Sequence, residues 1–150
     1  DESDPRDAPH QRIVLHADIE WENGKKLAFY VTHLSLSATA RERSVRELEQ
    51  FVQETRGSSP AVVVGDFNAE PHTPPMRYLL EKAAFADAWT ALYPDELGYT
   101  FASYKTQRRI DYILTTAEVE VNECLVVGDK PNVAGHWPSD HCGVVADLVF

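Results

Sequence analysis

With 150 residues, of which 43% are hydrophobic and 25% charged, the chain is long enough to form one domain with a substantial core. Its formal net charge of −10 argues against a large basic surface for duplex DNA, although a bound divalent cation can reverse the sign of an acidic cleft locally. No apolar run is long enough to span a bilayer, and the charged first residues do not resemble a signal peptide, so the sequence leaves the cellular compartment open.

The first predicted elements are two strands joined by a tight turn. Residues 13–21 alternate between apolar and other side chains, which is typical of a β-strand. Asn23 and Gly24 follow, and both residue types tolerate the backbone conformation of a hairpin turn. Residues 27–32 are therefore predicted to return as the partner strand, which brings His33 to the end of that strand.

A helix and a buried strand are predicted next. Thr39 and Glu42 have the spacing of a capping box, and Gly57 stands where the helix would end. The run at 61–64 is continuously apolar, as in a strand that is covered on both faces. Asp66 comes just after this run, so a carboxylate is expected at the end of a buried strand.

The rest of the chain predicts two more helices and three more strands. The helices are expected from Pro75 to about Ala83 and from Asp87 to Leu92, and the strands at 110–114, 118–127 and 143–150. Strands interleaved with helices indicate a layered α/β fold. Because we find no repeat or linker, residues 1–150 are interpreted as a single domain, with a flexible N-terminal segment at 1–11.

Two cysteines, Cys124 and Cys142, are too few for a disulfide framework. Both adjoin predicted strands. Two buried free thiols and one bridge are both compatible with the sequence.

Asp66 and Asn68 form the first candidate site. They alternate along the chain at the end of an apolar strand, so the carboxylate and the amide can converge on one ligand. An Asx turn is the alternative explanation, since such turns commonly follow strands.

Asp111 and His141 form the second candidate site. Histidine suits proton transfer near neutral pH, and His141 follows the carboxylate of Asp140. Asp111 lies at the entry of a predicted strand, where a buried carboxylate must be paired. From the residues alone, its partner is predicted to be an arginine, Arg108 or Arg109.

Four short blocks carry a resemblance to a known family: residues 32–34, 65–68, 109–112 and 139–141. In this order they resemble the second half of the endonuclease/exonuclease/phosphatase superfamily, which includes pancreatic-type DNases, abasic-site endonucleases, neutral sphingomyelinases and inositol-polyphosphate phosphatases. The resemblance implies half of a four-layer α/β sandwich (DNase I-like), with a mixed or antiparallel sheet and flanking helices. It further implies that the chain is the C-terminal part of such a domain, that an N-terminal half is its partner in cis or as a separate chain, and that one face of the sheet is exposed.

The resemblance also implies roles for individual residues. Asp66 would orient or deprotonate the attacking water, Asp111 would hold His141 in the required tautomer, and His33 would protonate the leaving oxygen or bind a phosphate oxygen. Arg109 is a candidate for substrate binding. The candidate catalytic residues are His33, Asp66, Asn68, Asp111 and His141. The candidate metal ligands are Asp140, Asp66 and Asn68.

The function implied is a Mg²⁺- or Mn²⁺-dependent hydrolase. It would cleave a phosphodiester, in nucleic acid or in a phospholipid headgroup, by in-line attack of an activated water. The glutamate that serves the family as main Mg²⁺ ligand has no counterpart before His33. A non-catalytic binding or assembly module is therefore the alternative.

Overall fold

The computed structural model describes residues 10–150, so most of the predicted flexible segment at 1–11 lies outside the described residues. The elements are β1 (Val14–Glu20), β2 (Lys26–His33), α1 (Ala38–Thr55), β3 (Ala61–Asp66), α2 (Pro74–Arg77, continued by a wider helical turn at Tyr78–Lys82), β4 (Ala86–Asp87), α3 (Ala88–Leu92), β5 (Asp111–Thr115), β6 (Glu120–Val127) and β7 (Gly143–Val149). None of the helices in residues 10–150 has the length and apolar character needed to cross a bilayer.

Five strands form one mixed sheet in the order β1-β2-β3-β5-β4. The β1–β2 pair is an antiparallel hairpin, whereas β2 and β3 run parallel and are connected through α1. Strand β5 pairs antiparallel with both β3 and β4. The fold is therefore the mixed α/β class that the sequence predicts, and the ends of β2 and β3 meet at one edge of the sheet.

The predicted hairpin turn is present, with only one of its two residues in the left-handed region. Gly24 has φ +80°, and its amide donates to the carbonyl of Trp21 at 2.8 Å. The Asn23 side chain instead accepts a hydrogen bond from the Lys25 amide at 3.0 Å. Asn23 thus stabilises the turn through its side chain rather than through a positive φ.

Helix α1 begins earlier than the capping-box prediction placed it. Ser37 is the N-cap, and its hydroxyl accepts a hydrogen bond from the Ala40 amide at 3.3 Å. The predicted box of Thr39 and Glu42 is wrong because Thr39 already lies inside the helix. The predicted end is confirmed, since Gly57 follows the last turn with φ +58°.

One face of the sheet packs against helices and the other against the smaller sheet of β6 and β7. Helix α1 buries Val45, Leu48 and Val52 in the same cluster as Tyr30 and Val63 of the sheet. A second cluster on the opposite face joins residues of the large sheet to the region around β6 and β7: Leu27, Phe29, Val62, Val64, Ile113, Val119, Leu148 and Phe150. Burial of these apolar side chains is the main contribution to the stability of the layers.

The second face of the large sheet is only partly covered. Ile13 is 73% exposed and Leu15 is 61% exposed, and Trp21 is partly exposed beside the Phe150 ring. Leu15 lies in β1, and Ile13 and Trp21 flank that strand. Val14, at the start of β1, packs on the helical core. An open apolar sheet face of this kind agrees with the expectation from the sequence and usually marks a contact surface.

Both cysteines are buried free thiols. Burial raises the pKa of each thiol, so both stay protonated near neutral pH.

Candidate functional site

Three polar residues stand in one row across the neighbouring strands β2, β3 and β5. The register places His33 opposite Asp66, and Asp66 opposite Asp111. Paired strands lie about 4.8 Å apart, so these three side chains are immediate neighbours at the edge of the sheet. Side chains that are distant in the sequence are thereby brought to one place by strand pairing.

His141 reaches this row from the segment that leads into β7. Its Nδ1 atom is 2.9 Å from Oδ2 and 3.1 Å from Oδ1 of Asp111. A backbone bridge joins Phe101 to His141, and the two rings lie 4.8 Å apart. The contact between Asp111 and His141, which the family resemblance predicted for two residues 30 positions apart, is present. The alternative ion pair with Arg108 or Arg109 is not formed, because these arginines pair with Glu70 and Asp87.

Asp66 lies between two imidazoles. Its Oδ2 is 3.3 Å from His33 Nε2 and 3.9 Å from His141 Nε2. The pKa of Asp66 is raised, first because the carboxylate is partly buried and also because Asp111 is negatively charged; a hydrogen bond from the Asn68 amide and the two histidines oppose the increase. Asp66 is therefore a stronger base than an exposed aspartate.

Asn68 is held in place by its surroundings. Its backbone has φ +48°, and its Nδ2 donates to the carbonyl of Leu34 at 2.9 Å. The backbone amide of Asn68 donates to Asp66 Oδ1 at 2.7 Å, and this bond forms the Asx turn that was the alternative explanation in the sequence. The turn and the site are thus the same structure, because Oδ1 stabilises the turn while Oδ2 faces the histidines.

Arg109 does not line the cleft, which corrects the prediction that it binds substrate. The residue is 4% exposed, its guanidinium is paired with the buried carboxylate of Asp87, and it lies over the Tyr112 ring at 4.9 Å. Its neighbour Arg108 pairs with Glu70 at 3.2 Å and stays partly accessible. Arg109 is therefore a buried structural cation.

Among the described residues, Asp140 does not belong to the group whose ligand atoms lie close together, so its role as a metal ligand stays a prediction. The side chain is exposed, and its Oδ1 lies 3.4 Å from the Ser139 hydroxyl. Among the described residues, the group that offers metal-binding atoms is instead Asp66, Asp111 and His141, whose atoms lie within 4.8 Å of one another. Carboxylate and imidazole groups in such proximity can hold a divalent cation.

The sequence reasoning missed Thr100. This residue is fully buried, and its hydroxyl donates to Asp111 Oδ2 at 2.6 Å. A buried threonine in the triplet 99–101 is unremarkable by composition, and no spacing rule connects it to a residue 11 positions later. Tertiary folding brings the two together: the Thr100 amide donates to the Arg108 carbonyl at 2.8 Å, beside the isolated bridge between Phe101 and Arg108.

A family comparison matches most of the chain. The model of the endonuclease/exonuclease/phosphatase family matches residues 6–141. Nocturnin of Mus musculus is 30% identical over 149 residues, which cover 86% of this chain and 35% of the mouse protein. Nocturnin of Drosophila melanogaster is 26% identical over 165 residues, covering 84% of this chain and 26% of the fly protein. The chain thus spans about a third or less of the length of these curated relatives.

Solved structures share the same fold. A mannosyl-6-phosphatase of Bacteroides thetaiotaomicron superposes with a TM-score of 0.77 at 25% identity, over 93% of this chain and 57% of the phosphatase. The catalytic domain of human Nocturnin, which was solved with a bound sulfate anion, gives a TM-score of 0.73 at 24% identity, over 94% of this chain and 54% of that domain. The mixed sheet and its flanking helices are therefore common to these proteins and to this chain.

Proposed function

The chain belongs to the endonuclease/exonuclease/phosphatase family, whose members are phosphoester hydrolases, and from this premise we propose that the protein hydrolyses a phosphodiester by direct attack of water. The observation that carries the proposal is the cluster of His33, Asp66, Asp111 and His141 at one edge of the sheet. Two carboxylates and two imidazoles within contact distance can take a proton from water and return one to a leaving oxygen.

The residues present fit a divalent cation. Asp66 and Asp111 supply the carboxylate oxygens that Mg²⁺ and Mn²⁺ prefer, and the Asn68 amide oxygen is a further candidate ligand on the same turn. When bound, such an ion would offset the negative charge that develops on the phosphate and lower the pKa of a water molecule.

This geometry supports the following roles for the protein's own residues. Asp66, with its raised pKa, takes the proton of the attacking water as the new phosphorus–oxygen bond forms. With both ring nitrogens protonated, His141 is oriented by Asp111 through Nδ1, donates from Nε2 to the phosphate oxygens and stabilises their charge. His33 gives its proton to the leaving oxygen as the old phosphorus–oxygen bond breaks. Its imidazole is 59% exposed, so a leaving group can reach it from solvent.

Nucleic acid and phospholipid headgroup are the proposed substrate classes. A pocket is lined by Phe101, whose ring contacts His141, and by Lys105 and Arg108. The two cations form a small basic patch for a second phosphate of a nucleotide chain. A sugar phosphomonoester is a further candidate, because the mannosyl-6-phosphatase shares the fold and is 25% identical to this chain over the matched part.

The test is a hydrolysis assay with Mg²⁺ or Mn²⁺ on bis(p-nitrophenyl) phosphate, p-nitrophenyl phosphate, a short oligonucleotide and sphingomyelin. His141→Ala and Asp66→Asn should each lower kcat by about 10²–10⁴-fold, since each removes proton transfer or charge stabilisation used in the transition state. His10→Ala, at an exposed histidine before β1, is the matched control and should retain full activity. Near-normal turnover in either site variant would refute the assignment.

The second candidate function is a binding or assembly module without catalysis. The assembled cluster of Asp66, Asp111 and His141 argues against it. Calorimetric titration with Mn²⁺ separates the two. A catalytic site should bind the ion and lose that binding in Asp66→Asn, while a module needs no metal at this position.

A further inference from the structure

The Thr100 hydroxyl has three hydrogen-bond partners behind the Asp111–His141 pair. Its Oγ1 lies 2.6 Å from Asp111 Oδ2, 3.2 Å from the Ile110 amide nitrogen and 3.3 Å from the Asp111 amide nitrogen. The residue is fully buried, so water does not compete for these bonds.

These partners determine where the hydroxyl proton points. A backbone amide can only donate, so the two amides occupy the acceptor side of the hydroxyl oxygen. The single hydroxyl proton must then be donated to the Asp111 carboxylate. The direction of this bond follows from the chemistry of the three partners alone.

The same reasoning extends to His141. An ionised carboxylate has no proton to give, so Asp111 accepts from His141 Nδ1 as well as from Thr100. The proton of the neutral imidazole therefore lies on Nδ1, and the lone pair of Nε2 faces Asp66, 3.9 Å away. One buried hydroxyl at Thr100 thus supports the tautomer presented to the site.

The Thr100 backbone helps to position His141, the other member of the Asp111–His141 pair. Its carbonyl accepts from the amide of Cys142 at 2.7 Å, and its own amide donates to the carbonyl of Arg108 at 2.8 Å. The side chain thus contacts Asp111, while the main chain anchors the residue that follows His141. A change at Thr100 can alter both the orientation of the carboxylate and the approach of the imidazole.

We propose that Thr100 is a positioning residue, whose hydroxyl fixes the orientation of Asp111 and through it the Nδ1–H tautomer of His141. The catalytic importance of that tautomer rests on the proposed function. The tautomer itself does not, because it can be measured without turnover.

The test is NMR of the protein with ¹⁵N-labelled histidine, in EDTA and at a pH at which the spectrum itself shows His141 in its neutral form. Long-range couplings then report which ring nitrogen of His141 carries the proton. Thr100→Val removes the donor at constant shape, and Thr100→Ser retains it. Thr116→Val is the matched control, because the Thr116 hydroxyl is also buried and accepts the Ala61 amide at 2.9 Å, remote from the site row.

We expect the wild type, Thr100→Ser and Thr116→Val to keep the Nδ1–H tautomer. In Thr100→Val the tautomer equilibrium of His141 should shift about tenfold towards Nε2–H, because a carboxylate that Thr100 no longer orients is a poorer acceptor for Nδ1–H. A tenfold change is the size expected when a hydrogen bond to a charged group is lost. An unchanged tautomer in Thr100→Val, or an equal shift in Thr100→Ser or Thr116→Val, would overturn the proposal. If Thr100→Val does not fold, Thr100→Cys, a much weaker donor, is read by the same criteria.

The two proposals can fail separately. A protein that hydrolyses no phosphoester but shows the expected tautomer shift contradicts only the proposed function. A protein that is active and keeps Nδ1–H in Thr100→Val contradicts only the role of Thr100.

Discussion

Asp87→Ala should be among the most destabilising single substitutions in this protein, because it leaves a guanidinium buried without its carboxylate. Asp87 pairs with Arg109, and the side chains of the two residues are 2% and 5% exposed. The Nε of Arg109 already lacks a hydrogen-bond partner in the described structure. Asp87 also accepts from the Trp89 amide at 3.1 Å and so caps α3.

The size of the effect follows from these contacts. Removing one partner of a buried ion pair costs about 3–5 kcal/mol, and losing an N-cap costs about 1 kcal/mol. The sum of about 4–6 kcal/mol is a large part of the 5–15 kcal/mol typical of a whole domain. Asp87→Ala should therefore be largely unfolded at a urea concentration that the wild type tolerates.

Urea denaturation followed by tryptophan fluorescence measures this loss as a shift in midpoint. Glu81→Ala is the control, because its pair with Arg77 is exposed to solvent and its loss should leave the midpoint almost unchanged. The double variant Asp87→Leu with Arg109→Met should recover much of the loss, since no unpaired charge remains buried. A loss below about 1 kcal/mol in Asp87→Ala would refute the reasoning.

Three further predictions concern other parts of the molecule. Burial raises the pKa of Asp66, so the folded protein binds the proton of this carboxyl group more tightly than the unfolded chain does. The free energy of unfolding should therefore fall as pH rises through and above the usual aspartate range. Asp66→Asn should be more stable than the wild type in urea at pH 7 and lose this advantage at pH 3. Cys124 and Cys142 are buried and have raised pKa values, so they should react slowly with a thiol reagent at pH 8 in the folded protein. In urea the chain should give two equivalents of thiol. An unfolded chain that does not react would show that the two cysteines are not free. Leu48→Ala should cost about 2–5 kcal/mol by denaturation, and Leu15→Thr, on the open sheet face, less than about 1 kcal/mol; equal costs would mean that the face is covered.

Most of the fold was predictable because hydrophobic periodicity reports which elements form. The alternation at 13–21 and the apolar run at 61–64 both correspond to strands, β1 and β3. The cap of α1 was misplaced because Thr39 and Glu42 satisfy the same local pattern as a true cap. Ser37 is the residue whose backbone is extended there, with φ −76° and ψ 127°, and no spacing rule reports that.

The candidate site was predictable where its residues follow a strand, and not where they meet through tertiary packing. Asp66 and His33 were placed correctly because strand ends are visible in the sequence. Arg109 was misjudged because a cation beside a site motif looks the same whether it faces solvent or is paired with Asp87. The role of Asp140 as a metal ligand stays a prediction, because the close group of ligand atoms among the described residues contains its neighbour His141 and not Asp140.

The row of His33, Asp66 and Asp111 has a consequence for which changes of length the chain should tolerate. The three residues are neighbours only because each strand pairs in one register. Inserting a single residue inside β3 would turn the side chains beyond it to the other face and separate Asp66 from both neighbours. The same insertion in the turn after α1 leaves the pairing intact. Insertions and deletions in natural variants of this protein should therefore collect in its loops and be excluded from these three strands, even where single substitutions in the strands are accepted.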